Sequence, residues 1–184
     1  MGEKNDIAQM LTLLHELQGI DFVRQLKLIT ERKEFSQLKD NPLIYTVGGE
    51  KSEDYIPLLD AAQKAVEHGY RVFILPNPKG FRTADFIFER KGVYKMFDLK
   101  TIVGRNSIGN RLKESIGQTN RVLLNITTEY NPIALARHIK KYFEKNPQAV
   151  EVLVYKGRKS ISILRDETIN GASFFKYFVA KYIQ

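Results

Sequence analysis

The stretch Ala84-Asp85-Phe86-Ile87-Phe88-Glu89-Arg90-Lys91-Gly92-Val93-Tyr94-Lys95-Met96-Phe97-Asp98-Leu99-Lys100 constrains this chain more than any other. Two apolar runs flank a short Arg-Lys-Gly turn, which is the pattern of a β-hairpin. With Lys91 and Gly92 as the turn residues, Arg90 pairs with Val93, and counting outward sets Asp85 opposite Asp98. Opposed side chains in such a pair lie ~5 Å apart at Cβ. Lys100 follows Asp98 by two positions and so shares its face, as do Tyr94 and Met96, while Phe97 and Leu99 face the other way. That face carries two carboxylates and one ammonium beside apolar side chains. Close carboxylates repel unless a cation or a shared proton separates them, and a hard divalent metal suits such oxygen donors.

The surrounding sequence supplies helices and further strands. Apolar positions at Ile7, Met10, Leu11, Leu14 and Leu17 have helical spacing, and Gly19 breaks the pattern. Asp21 is placed to cap a second helix with Phe22, Val23, Leu26 and Ile29, and a short third turn holds Phe35 and Leu38 before Asn41-Pro42 ends the arm. Leu43 to Val47 reads as a strand closed by Gly48-Gly49, and residues 52–68 read as a helix with Pro57 in its first turn. A strand from Arg71 to Leu75 and a loop at Pro76-Asn77-Pro78-Lys79-Gly80 lead into the hairpin. Beyond it follow a helix over Asn106–Ile116, an apolar strand over Arg121–Ile126 and a helix over Pro132–Phe143. A second hairpin turns about Lys156-Gly157-Arg158, and an aromatic-rich helix covers 171–183. This order predicts an α/β fold: a mixed central sheet flanked by helices, with a helical N-terminal arm over residues 1–41 and the main domain over 42–184.

Composition narrows the chemistry. The chain has 184 residues, a formal charge of +8 and no cysteine. Cysteine-ligated zinc and disulfides are therefore excluded. The excess of positive charge favours polyanionic partners such as nucleic acid, or is simply a lysine-rich surface. No apolar run reaches the ~20 residues that cross a bilayer, and the N-terminus lacks the apolar core of a signal peptide. Gly104-x4-Gly109 has no Gly-Lys-Ser/Thr ending, which excludes a phosphate-binding loop of the nucleotide hydrolases. His15, His68 and His138 do not form a metal-ligand spacing.

The pattern Asp85-x12-Asp98-x-Lys100, with a helix before the hairpin, a helix after it and Gln118 ahead of an apolar strand, resembles the PD-(D/E)XK nuclease superfamily of restriction-endonuclease-like phosphodiesterases. Ala84 stands where the superfamily name has proline. Over about residues 58–126 the runs Gly69-Tyr70-Arg71-Val72-Phe73-Ile74-Leu75-Pro76, Ala84-Asp85, Asp98-Leu99-Lys100 and Gln118-x2-Arg121-Val122-Leu123-Leu124-Asn125 resemble the C-terminal toxin domains of contact-dependent growth-inhibition (CdiA) proteins, several of which are metal-dependent tRNA nucleases.

The resemblance implies a restriction-endonuclease-like sheet and metal-assisted phosphodiester hydrolysis. Asp85, Asp98 and the main-chain carbonyl of Leu99 would hold Mg²⁺ or Mn²⁺, and Lys100 would orient the attacking water or stabilise the charged transition state. The preceding helix would supply a further acid, Asp60 in preference to Glu67, and Gln118 would orient the lysine or contact the phosphate. Basic residues near the motif, Arg105, Arg111, Lys113 and Arg121, are candidates for phosphate contacts, as are Arg137, Lys140 and Lys141 and the turn cluster Lys156, Arg158 and Lys159. The expected activity is a tRNA-cleaving toxin acting in the cytoplasm after delivery as a secreted domain and countered by an immunity protein. A DNA endonuclease of a repair or mobile-element system keeps the same site, and a basic nucleic-acid-binding domain without a working metal site is the non-enzymatic alternative.

Overall fold

A computed structural model describes residues 6–48, 55–77, 83–104 and 107–184. Gly49, the loop residues Pro78, Lys79 and Gly80, and Arg105 and Asn106 lie outside them. The described residues form α1 (Ile7–Leu13), α2 (Gly19–Thr30), β1 (Phe35–Gln37), β2 (Ile44–Val47), α3 (Tyr55–Glu67), β3 (Arg71–Ile74), β4 (Phe86–Arg90) and β5 (Val93–Ile102). These are followed by α4 (Ile108–Glu114), β6 (Arg121–Ile126), α5 (Pro132–Lys145), β7 (Glu151–Lys156), β8 (Lys159–Leu164), α6 (Arg165–Ile169) and α7 (Phe174–Ile183). Hydrogen-bonded neighbours follow chain order from β1 to β8, and parallel and antiparallel pairs are mixed, so the fold is α/β with a mixed sheet flanked by helices, as expected. Packing divides the chain into two compact units, Met1–Phe97 and Asp98–Gln184.

In the N-terminal unit β2 and β3 are parallel, and β1–β2, β3–β4 and β4–β5 are antiparallel. The β4–β5 hairpin is the one read from the sequence: Arg90 pairs with Val93 and Phe86 with Phe97. Lys91 and Gly92 have φ of 52° and 77°, the positive pair that a two-residue turn matched to strand twist requires. The Glu89 carboxylate accepts from the Gly92 N–H at 2.7 Å and closes the turn. One face of the sheet presents Phe73, Ile87 and Met96 to Ile7, Met10, Leu11 and Leu14 of the first helical turns and to Leu26 and Ile29 of α2. The apolar stripe of the N-terminal arm thus covers this face of the sheet. On the other face Phe88 lies between Tyr70, Phe86 and Phe97, with ring centroids 5.0 to 5.3 Å away.

Local readings are corrected at two places in this unit. Gly19, at φ 56°, opens α2, so Asp21 falls inside the first turn and pairs with Arg24 at 3.3 Å instead of capping the helix. Phe35 and its neighbours form a strand, not a helical turn. They pair with β2, and the Phe35 ring meets Phe73 edge-on at 5.3 Å. Three residues are too few for periodicity to tell strand from helix.

In the C-terminal unit the second half of β5 is parallel to β6, β6 is parallel to β7, and β7–β8 is an antiparallel hairpin. Strand β6 is buried along Val122–Ile126, which accounts for its near-continuous apolar run. Side chains Ile102, Val122, Leu124, Val152, Val154, Ile161 and Ile163 form one core with α4, α5 and α7. Helix α5 starts where its sequence directs: Asn131 accepts from the N–H groups of Ile133 and Ala134 at 2.9 and 3.0 Å, and Pro132 occupies a first-turn position. Helix α6 was not expected. It ends in a tight passage to α7, where a Cβ on Gly171 would stand 2.0 Å from the Glu167 carbonyl oxygen. Backbone cannot swing aside as a side chain can, so Gly171→Ala is expected to cost about 1–3 kcal/mol, read as a lower urea midpoint. An unchanged midpoint would show that the α6–α7 passage relaxes freely.

Candidate functional site

Asp98 and Lys100 lie two positions apart on β5, and the period of a strand sets them on one face. Lys100 Nζ is 3.0 Å from Asp98 Oδ2, with side-chain exposures of 11% and 2%. Their strand partners on β6 are Val122 and Leu124, both fully buried. An ion pair against an apolar wall seldom stabilises a fold more than a well-packed apolar pair would, so its presence calls for a reason beyond stability.

A polar cluster centred on Tyr142 lies within the electrostatic reach of Asp98. Tyr142 of α5 is buried, and the Asn146 side-chain amide donates to its hydroxyl at 3.3 Å. Burial pushes the Tyr142 hydroxyl above its ordinary value, hydrogen bonds with Ser115 and Asn146 oppose that, and the negative charge of Asp98 adds to it. Ser115 is itself fully buried and donates to the Leu112 carbonyl at 2.7 Å. Tyr142, Ser115 and Asn146 went unnoticed in the sequence. Tyr142 sits in the apolar stripe of an amphipathic helix, and Ser115 and Asn146 are helix-end residues of common type, so no local signal ties them to Asp98.

Asp85 stands just before the ladder of β4. Its N–H donates to the Phe97 carbonyl at 3.0 Å, and its own carbonyl accepts from the Leu75 N–H at 2.9 Å. In a regular antiparallel strand both groups of one residue reach the same neighbour; here they reach opposite ones. Asp85 therefore lies in a bend where two residues, Asp85 and Phe86, oppose Phe97, a bulge-like arrangement of the kind that re-aims side chains. The register counted from the turn holds as far as Phe86 and Phe97, and the ladder stops there.

The other candidates have identifiable settings. Asp60, in the N-terminal unit, is 2.9 Å from Lys64 one turn on and is half exposed, and Glu67 is exposed. The Gln118 amide donates to the Glu114 carbonyl at 2.9 Å, closing the end of α4. Arg111 pairs with Glu114 at 3.2 Å and Lys113 is exposed. Arg121 is engaged elsewhere than on a phosphate: its Nε lies 3.2 Å from the buried Glu151. Lys156 is held by Glu129 at 2.9 Å and by the Thr128 carbonyl, and Lys159 by the Tyr182 carbonyl. Arg137, Lys141 and Arg158 are exposed. Among the described residues no group of three or more histidine and acidic side chains is placed to hold a metal, so any ion would depend on fewer carboxylates plus carbonyl and water. The structure thus brings Asp98 and Lys100 together, sets Asp85 beside Phe97, and gives Asp60 and Gln118 local partners.

These features define an α/β protein with a mixed sheet and a buried aspartate–lysine pair on a central strand. No family model and no curated protein matches the chain. Among solved structures it is similar to a CdiA-CT/CdiI toxin and immunity complex from Burkholderia pseudomallei, with 16% identity and a TM-score of 0.47 over 66% of this chain and 98% of that one. The likeness is one of backbone path. No described helix is long and apolar enough to cross a membrane.

Proposed function

We propose that this protein is a metal-dependent nuclease of the PD-(D/E)XK kind that cleaves tRNA, and that it serves as a toxin domain acting in the cytoplasm of the cell it enters and neutralised by an immunity protein. The observation that carries the reading is the buried Asp98–Lys100 pair on β5, which follows a hairpin whose other strand is preceded by Asp85. The donor chemistry fits Mg²⁺ or Mn²⁺: the carboxylates of Asp85 and Asp98 and the Leu99 carbonyl are all hard oxygen ligands. A bound ion would supply Lewis acidity at the phosphate and a more acidic water. Lys100, kept close to Asp98, would orient that water or balance charge that develops on the phosphate. Asp60 and Gln118 are proposed as a further acid and a phosphate or lysine contact, and Arg105, Arg111 and Lys113 as contacts to the nucleic-acid backbone.

One observation favours a second reading, a basic nucleic-acid-binding domain without catalysis. Lys100 already balances Asp98, and no larger acidic cluster is present among the described residues. Incubation with total tRNA and with plasmid DNA, each with Mg²⁺, Mn²⁺ or EDTA, separates the possibilities. Cleavage of tRNA that EDTA stops is the expected result. Cleavage of plasmid alone would make the protein a DNA endonuclease. No cleavage, together with no Mn²⁺ binding by calorimetry, would leave the binding domain.

A further inference from the structure

Helix α7 carries two apolar stripes where a surface helix needs one. Phe174, Phe178 and Tyr182 turn into the core. Phe175 and Val179 line a second stripe that is half exposed, and Ile183 continues it at 69% exposure. Phe175 and Val179, together with Ala180 and with Ile133 of α5, 46% exposed, floor an open groove of about 590 Å³ between the two helices. The groove's rim is basic. Arg137 and Lys176 line it, Lys140 Nζ lies 5.7 Å from the Phe175 ring centroid, and no lining residue is acidic.

We infer that the α5–α7 groove docks an acidic amphipathic helix of a partner protein. An apolar floor flanked by cations matches a helix that presents apolar side chains at i, i+3 and i+7 with carboxylates on either side. Helix α7 has 10 residues, about 15 Å at 1.5 Å per residue, so a three-turn helix covers its length. A second copy of this chain is a poor occupant, because the same basic rim would face itself. A nucleic acid is also a poor one. The Phe175 ring already has Lys140 Nζ over it at 5.7 Å and meets the Phe174 ring at 5.4 Å in a T-shaped contact, so a stacked base would have to compete with both. The inference stands whether or not the chain cuts nucleic acid.

The probe is a fluorescein-labelled three-turn peptide with leucines along one face and glutamates on both flanks, paired with a twin that has lysine for every glutamate. Anisotropy titration of the full chain should show saturable binding of the acidic peptide and at least about tenfold weaker binding of the twin. Ala180→Arg should weaken the acidic peptide by at least about tenfold, and Lys176→Glu should weaken it while restoring affinity for the twin. Both positions are exposed, so unchanged thermal melts are expected. Absence of saturable binding, equal affinity for both peptides, or indifference to Ala180→Arg overturns the proposal. So does self-association of the chain that Ala180→Arg disperses, or an RNA that displaces the peptide and loses its own affinity with Ala180→Arg.

Discussion

Asp98→Ala is expected to reduce metal-dependent cleavage of tRNA by at least about a hundredfold, the scale on which loss of a directly acting electrostatic group lowers turnover. The variant removes the carboxylate that Lys100 contacts and that the proposed ion would need. It also strands an ammonium at a largely buried position, and breaking such a pair costs about 3–5 kcal/mol. A loss of activity must therefore be separated from a loss of fold. Asp98→Asn keeps the volume and one oxygen, and Asp98→Ala with Lys100→Met removes both charges. Thermal melts of all three identify those that remain folded. A folded Asp98→Asn protein that cuts tRNA at the wild-type rate would remove Asp98 from the site. In cells, expression of the active chain should arrest growth and Asp98→Asn should relieve the arrest.

Glu151→Ala is expected to lower the stability of the C-terminal unit by about 3 kcal/mol, the lower end of the range for breaking a buried pair, because Arg121 keeps some contact with solvent. Glu151 is 1% exposed, its Oε2 is 3.2 Å from Arg121 Nε, and its Oε1 accepts from the Ser162 hydroxyl at 2.7 Å. The register sets Arg121 directly beside Glu151 across β6 and β7, and Ser162 stands one strand further on β8. Truncation leaves the mostly buried Arg121 guanidinium without its carboxylate, while the exposed Ser162 hydroxyl can turn to water. The urea midpoint should fall with the slope unchanged, and Glu151→Gln, whose carbonyl oxygen can still accept from Arg121 while its amide N–H donates to the Ser162 hydroxyl oxygen, should lose less. A fall of under about 1 kcal/mol, the size of an exposed pair, would show that Arg121 finds water or another acceptor.

The hairpin at the centre of the sequence was legible because every local signal agrees there: alternation, apolar flanks and a turn whose second residue is glycine. The Asp98–Lys100 contact was legible for the same reason, since a strand's period alone puts both side chains on one face. Asp85 was less so. Composition does not encode a bulge-like bend, and counting outward from the turn silently assumes that the ladder continues. Arg121 shows a different limit. It reads as one of several cations after the motif, yet its partner lies thirty residues on, and only the parallel pairing of β6 with β7 brings the two together. Tyr142 is hidden in the same way, as one apolar position among several on α5 until the fold brings its hydroxyl within the field of Asp98. Phe35 was misread because a three-residue segment carries too little periodicity, and Asp21 because α2 begins two residues earlier, at a glycine that the sequence marks only as a break.

The shortness of β1 has a consequence for how this protein keeps to itself. The strand that borders the N-terminal sheet has only 3 residues, and Gln37 turns its amide back onto the Pro42 carbonyl and the Tyr45 hydroxyl. Little unpaired backbone is left in line for another chain to add a strand. In the C-terminal unit the bordering strand β8 is longer, but two of its three exposed positions are Ser160 and Ser162, the third is Leu164, and its first residue is a lysine. Both margins are therefore weaker templates for strand addition than a long, flat, apolar edge would be, which limits one route by which a protein with so many apolar strands could seed fibrils.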